Sequence, residues 1–227
     1  MNVEAFLSSM NDPQLERCLE SIKNQIVPFS RFTHISGVSP ASETWNRGWE
    51  AVREEWVAII DGDTILYPNA LEITLKYMKT RMDPQVCAYC FGLYDPFIEV
   101  VDNMFCICRS SVYKSVKAPN KLSFDRYVGY DVKKLGWRYM KNLSLIAGTH
   151  FEDPTEYQIF TRFSRIHKKY HMRHVRGMEK RLKDLLDRTG NPLYRVALDS
   201  MKCTAEYSGS YNVEFDNKRF VEFHANS

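Results

Sequence analysis

Asp61 and Asp63 are separated by one glycine and preceded by the apolar run Trp56-Val57-Ala58-Ile59-Ile60. Two carboxylates at i and i+2, with Gly62 between them, can turn toward one hard cation. Oxygen ligands of this kind suit Mg2+ or Mn2+, and such an ion in turn holds a diphosphate. The run in front is rich in β-branched and aromatic residues and predicts a buried strand. Charges directly after it stand at the strand's carboxyl end, where open α/β sheets bind ligands. The alternatives are a loop with two solvated acids, or an Asp that caps the next helix.

Other residues offer weaker chemistry. His167, His171 and His174 have a spacing that can bind metal, but they lie in a strongly basic stretch and read foremost as part of a solvated cationic stripe. Cys87, Cys90, Cys106 and Cys108 could be imagined as zinc ligands, yet all four sit in β-like apolar runs, where Cys behaves as a small buried hydrophobe. Asp95 and Asp102 fall in the middle strands and read as turn residues or acceptor contacts.

The elements that must position these residues are legible in outline. Val3–Leu7 predicts a first strand, and Asp12-Pro13 reads as an N-cap followed by proline at the first helical position. Leu15, Cys18, Leu19 and Ile22 then recur at helical spacing to about Gln25. A strand over 32–35, a helix over 42–52 and the strand over 57–60 follow. Leu71, Leu75 and Met78 mark another helix. This β-α-β-α-β-α order predicts an α/β fold, a three-layer α/β/α sandwich on a mostly parallel sheet. Residues 86–116 predict three short strands (86–91, 97–101, 104–108) in antiparallel pairing at one side of the sheet. A helix from Phe124 is expected to end at Gly136, with 137–146 extended after it.

After Pro154 the pattern turns helical to Asp187, and nine Lys or Arg, three His and one acid, Glu179, fall between Thr161 and Lys183. The expected division is a catalytic domain over 1–155 and a basic helical extension over 156–227. The extension has an apolar counterpart at Ile159, Phe163, Ile166 and Tyr170. Such a helix suits an anionic membrane surface, through 159–183, or an acidic acceptor. The alternative packs the apolar side on the catalytic domain and leaves the charges in water. The last twenty residues alternate loosely and predict a hairpin around Asp216-Asn217 or an irregular tail.

In order and spacing these features resemble the family 2 nucleotide-sugar glycosyltransferases of the GT-A fold, over about residues 1–155. The resemblance rests on the run Leu15-Glu16-Arg17-Cys18-Leu19-Glu20-Ser21-Ile22-Lys23-Asn24-Gln25. It rests also on Asn46-Arg47-Gly48 opening a helix and on Asp61-Gly62-Asp63 followed by Pro68-Asn69-Ala70-Leu71-Glu72. It implies a donor nucleotide-diphosphate sugar, most simply a UDP-sugar, held near Ser8, Asn46, Arg47, Asp61 and Gly62. It implies Mn2+ or Mg2+ on Asp61 and Asp63, with His150 completing the metal shell or touching the diphosphate. Its acceptor-activating carboxylate maps to Asp125, eleven residues before Gly136, although Phe124 replaces the usual acidic neighbour. Asp125 has a second reading as a first-turn acid that favours a helix N-terminus, with Ser123 as the cap, and Asp131 is the fallback base. Direct displacement by a glycan, lipid-linked or protein hydroxyl would invert the anomeric centre.

Three rivals remain. A HAD-type phosphatase also places Asp-x-Asp after a strand, but here Ile65 stands where that pattern wants Thr or Val. A nucleotidyltransferase would want a glycine-rich phosphate loop, and residues 8–14 contain no glycine. A degenerate, non-catalytic sugar-nucleotide-binding or scaffold protein would bind without turnover. Composition is that of an ordinary globular chain: 227 residues, 44% hydrophobic, 26% charged and a net charge of +3, too mild to imply nucleic acid. No basic segment and apolar run opens the sequence, which makes a cytoplasmic location the expectation.

Overall fold

The computed structural model describes residues 1–10, 12–121, 123–166, 172–203 and 213–225. His167, Tyr170, His171 and Asn11 lie outside these residues, as does the side chain of Asp102. The chain divides into two compact units, residues 1–120 with 124–152, and residues 121–123 with 153–227.

The first unit contains β1 (Val3–Ser9), α1 (Leu15–Lys23), β2 (Arg31–Ser36), α2 (Ala41–Ala51), β3 (Trp56–Asp61), β4 (Thr64–Leu66) and α3 (Ala70–Thr80). These are followed by β5 (Val86–Asp95), β6 (Val100–Arg109), α4 (Ser110–Tyr113), α5 (Phe124–Lys134) and β7 (Arg138–His150). The strands form one mixed sheet in the order β2-β1-β3-β6-β5-β7-β4. Five run one way, and β6 and β4 run against them. The sheet is thus mostly parallel, but the antiparallel β6 lies inside it rather than at a side. The three short strands expected over 86–108 are two ten-residue strands of one hairpin. Asp95, fully buried, accepts the backbone N–H of Phe97 and of Ile98 and makes the turn between them.

Both faces of the sheet are covered. Val3, Ala5, Leu7, Ile60 and Phe91 pack with Cys18 and Ile22 of α1 and with Leu71, Leu75 and Met78 of α3. Phe6, Val57, Ala88 and Cys90 face Trp49 and Val52 of α2, Val112 and Tyr113 of α4, and Val128 and Val132 of α5. Odd and even residues of β1 thereby enter different layers, as a strand's two-residue period requires. One acid lies among these apolar residues. Glu4 is 1% exposed, and its carboxylate accepts Thr33 Oγ1 at 2.6 Å and the N–H groups of Arg53 at 2.7 Å and Glu54 at 3.1 Å. It ties β1 to β2 and to the entry of β3.

The sheet curls strongly. Asp61 ends β3 and Thr64 begins β4, and three residues span at most about 11 Å. Three strands nevertheless stand between β3 and β4, which in a flat sheet would separate them by about 19 Å. The edge must therefore fold back toward the centre. β5 and β7 yield where this happens: the pairing steps from Phe91–Asn142 to Gly92–Ile146, and such irregularities bend strands. A Cβ on Gly92 would lie 2.5 Å from the Leu143 carbonyl oxygen, and one on Gly148 would lie 2.3 Å from that of Ile65. Glycine permits both approaches.

The second unit is helical: α6 (Glu156–Phe163), α7 (Met172–Thr189), α8 (Pro192–Lys202) and α9 (Val213–Ala225). The helical pattern expected from 156 to 187 is interrupted after Phe163. Thr155 and Gln158 form a reciprocal capping box at the start of α6, and Asn191 caps α8 ahead of its first-turn proline. Val175, Met178, Leu182 and Leu185 are the buried stripe of α7, while Arg176, Lys180 and Lys183 are exposed. The expected hairpin around Asp216-Asn217 is instead helix α9. Its Asp216, 3% exposed, pairs with Arg165, and Phe220 and Phe223 pack on Phe160 at 5.5 and 5.1 Å between ring centroids. The alternation in that stretch is short, and a few aromatic residues can serve either period. No helix among the described residues is long and apolar enough to cross a membrane.

Two outcomes are expected. Gly48→Ala drives a methyl to 1.9 Å from Phe6 Cζ and lowers stability by about 1–3 kcal/mol, read as an earlier urea midpoint. Burial pushes the Glu4 carboxyl up, but the bonds from Thr33, Arg53 and Glu54 and the Arg31 charge outweigh it, so its pKa lies below the ordinary 4.5. A lowered pKa adds stability above pH 4.5 that is lost as the pH falls through the folded value. Glu4→Gln should cost about 1–3 kcal/mol at pH 7, and urea midpoints of the two proteins should converge as the pH falls through the folded pKa of Glu4.

Candidate metal centre

Ser8 and Asp61 are register partners at the carboxyl ends of the parallel strands β1 and β3. The Ser8 hydroxyl donates to Asp61 Oδ1 at 3.3 Å. The chain turns through Gly62 and Asp63 and enters β4, whose Thr64 pairs with His150 at the end of β7. The Phe151 N–H donates to the Asp63 carbonyl at 3.3 Å, fixing that junction. As a result Asp61, Asp63 and His150 each offer a ligand atom, all within 4.8 Å of one another, and His150 Nε2 is 3.3 Å from Asp63 Oδ1. Among the described residues no other set of three or more His, Cys, Asp or Glu comes this close.

The donor set fits a hard divalent cation. Two carboxylates and one imidazole suit Mn2+ or Mg2+. Ligands on opposite sides of Mg2+ stand about 4.2 Å apart, so small side-chain movements close the observed spacing. The electrostatics point the same way. Asp61 is reached by water yet crowded by neighbours. Burial, then the charge of Asp63, pushes its pKa up to about 6. Cys18 lies beneath and donates its thiol to the Asp61 carbonyl at 3.5 Å. Burial and the charges of Asp63, Asp61 and Asp12 push that thiol up to about 12, so it stays neutral.

A brace holds the end of β7 against α1. Gln14 Nε2 donates to the Glu152 carbonyl at 2.9 Å, Arg17 pairs with the Glu152 carboxylate, and Thr149 Oγ1 donates to that carboxylate at 2.7 Å. Phe151 has φ of 63°, a costly left-handed conformation for a bulky residue, and its ring packs on Phe97 at 5.9 Å.

The remaining expected residues have partners of their own or stand exposed. Asn46 is engaged at both amide atoms: Nδ2 donates to the Ala118 carbonyl at 3.2 Å and Oδ1 accepts its N–H at 2.9 Å. It pins the segment before α5. Arg47 pairs with Glu43 at 2.8 Å on the exposed side of α2. Asp125 is exposed in the first turn of α5, next to Phe124, whose ring packs on Trp45 at 5.5 Å. Asp131 is a surface residue paired with Lys134 at 3.2 Å. A hollow of about 620 Å3 around Met1, Trp56, Asp83 and Arg109 lies at the other end of β3 and contains none of these groups.

Sequence reasoning missed Asp12. The helix begins at Leu15 with Gln14 as its cap, and Asp12 Oδ2 instead accepts the Met10 N–H at 2.8 Å. Burial first, and the Asp63 charge among other causes, raises its pKa. The available signal was its place in the turn after the first parallel strand, where ligands of such sheets gather.

Neutralising Asp61 should reveal the strain among these acids. In the presence of a chelator, Asp61→Asn should raise the melting temperature by about 2–4 °C, roughly 1 kcal/mol after discounting for solvent access. Adding Mn2+ should then stabilise the wild type and leave the variant unchanged.

No protein-family model matches the chain, and no curated protein does. Solved structures do. A mannosyltransferase from Pyrobaculum calidifontis, in complex with GDP-mannose and Mn2+, matches with a TM-score of 0.55 and 11% identity, over 100% of this chain and 76% of its own. TarS residues 1–349 from S. aureus match with a TM-score of 0.55 and 9% identity, over 98% of this chain and 79% of that one. The same TarS fragment in complex with UDP-GlcNAc matches with a TM-score of 0.55 and 10% identity, over 100% and 80%. At these identities the likeness is one of fold: the chain shares the curled α/β architecture of proteins that bind nucleotide sugars.

Proposed function

We propose that this protein is a metal-dependent glycosyltransferase that takes a sugar from a nucleotide-diphosphate donor and passes it to a hydroxyl acceptor with inversion. The observation that carries this reading is the convergence of Asp61, Asp63 and His150 at the carboxyl ends of the central strands, in a fold shared with nucleotide-sugar-binding proteins. Asp61, Asp63 and His150 would hold Mn2+ or Mg2+, which supplies positive charge against the leaving diphosphate. Ser8 orients Asp61. The ends of β1 and β3 supply the floor for the nucleotide, a UDP-sugar being the simplest donor.

Asp125 takes the acceptor proton as general base. Residues 1–155 carry the chemistry, and the basic helical extension, with the exposed cations of α7, offers its surface to an anionic membrane or acidic acceptor. The acceptor is a glycan, lipid-linked or protein hydroxyl.

Calorimetry with UDP, GDP, dTDP and CDP, each with and without Mn2+, tests the donor site. One diphosphate should bind in a Mn2+-dependent way, and Asp63→Ala should abolish that binding; binding of none with metal ends this reading. With the matching donor, Asp125→Asn should keep nucleotide affinity within about twofold and slow release of free nucleotide by about 100-fold or more. Tight binding without turnover in the wild type would identify a binding protein instead.

A further inference from the structure

The turn after β1 places a third carboxylate beside the Asp61–Asp63 turn. Asp12 lies against Gly62, the residue between Asp61 and Asp63. A methyl group there would stand 2.2 Å from Asp12 Oδ2 and 2.8 Å from its Cγ, so any residue but glycine evicts the carboxylate. The Met10 N–H holds Asp12 Oδ2 in place at 2.8 Å. The charges of Asp63 and His150 both act on it. Helix capping does not account for this position, because α1 is entered through Gln14 and no side chain caps it.

Three like charges near one another repel, and a cation among them removes that repulsion. The number of charges matters. Two carboxylates only neutralise a divalent ion, which then draws further ligands from a diphosphate. Three leave the metal site with a net charge of −1 when His150 is neutral. Such a site holds its ion without help and repels the diphosphate somewhat more.

We propose that Asp12, which lies outside the group of atoms within 4.8 Å of one another, is drawn in by the ion as the third carboxylate of the cation site and lets the protein load a divalent cation before any nucleotide arrives. This rests on the reading of Asp61, Asp63 and His150 as metal ligands. Gly62 is then glycine because a side chain there would take the space of the third carboxylate.

Titration with Mn2+, followed by electron paramagnetic resonance of the free ion, tests this on the full chain, first without nucleotide and then with UDP or GDP at saturation. Wild type should bind one Mn2+ without nucleotide. Asp12→Asn and Gly62→Ala should each weaken that binding by about 10-fold or more, and the double variant should be no weaker than either alone. Added nucleotide should restore much of the loss. Melting curves in chelator verify that each variant is folded, and the near-isosteric Asp12→Asn carries the test if Gly62→Ala is not. Mn2+ affinity of Asp12→Asn within twofold of wild type, with Asp63→Ala inactive in binding, overturns the role of Asp12 and leaves the metal site standing. Binding by wild type only when nucleotide is present overturns the order of loading. Binding retained in Asp63→Ala as well overturns the metal centre itself.

Discussion

The short walk from Asp61 to Thr64 constrains the whole first unit. Three residues must connect the middle of a seven-stranded sheet to its far edge, which is feasible only if the sheet closes partly on itself. The irregular pairing around Gly92 and the tight approach at Gly148 are the local deformations that allow it. The consequence is chemical. A flat sheet would leave His150, on the strand next to the edge, far from the aspartates at the end of β3. In the curled one, β4 pairs with β7 and delivers His150 to Asp63.

The site is held more rigidly than its exposure suggests. Its ligands sit at strand ends backed by two apolar layers, and the Glu152 brace ties the exit of β7 to α1. Rigid elements fix a metal geometry better than loops do. The cost is electrostatic: acids are brought together where burial already disfavours their charge. A bound cation would offset it, which links the stability of the empty protein to the chemistry proposed for the loaded one.

Buried polar groups away from the site serve the architecture. Glu4 and Asp95 are among the most enclosed acids, and each carboxylate is engaged by backbone N–H groups at a point where the chain changes direction. The Asn46 amide does the same for the segment before α5. Asp216 is different: it pairs with Arg165 inside the helical unit.

Local pattern alone identified most strands and helices of the first unit, because apolar periods of two and of about 3.6 report which side of an element is covered. It also singled out Asp61 and Asp63, since an acidic turn after an apolar strand is a contiguous signal. Asp12 was visible but misread, because an acid before a proline fits a helix cap equally well until the direction of its side chain is known. Glu4 gave no signal, as its partners are 29, 49 and 50 residues away. The union of His150 with Asp63 across 87 positions, the place of β6 within the sheet and the helical form of 213–225 were decided by tertiary structure. Each depends on which distant surfaces meet, and the curl that brings His150 home is a property of seven strands together rather than of any one of them.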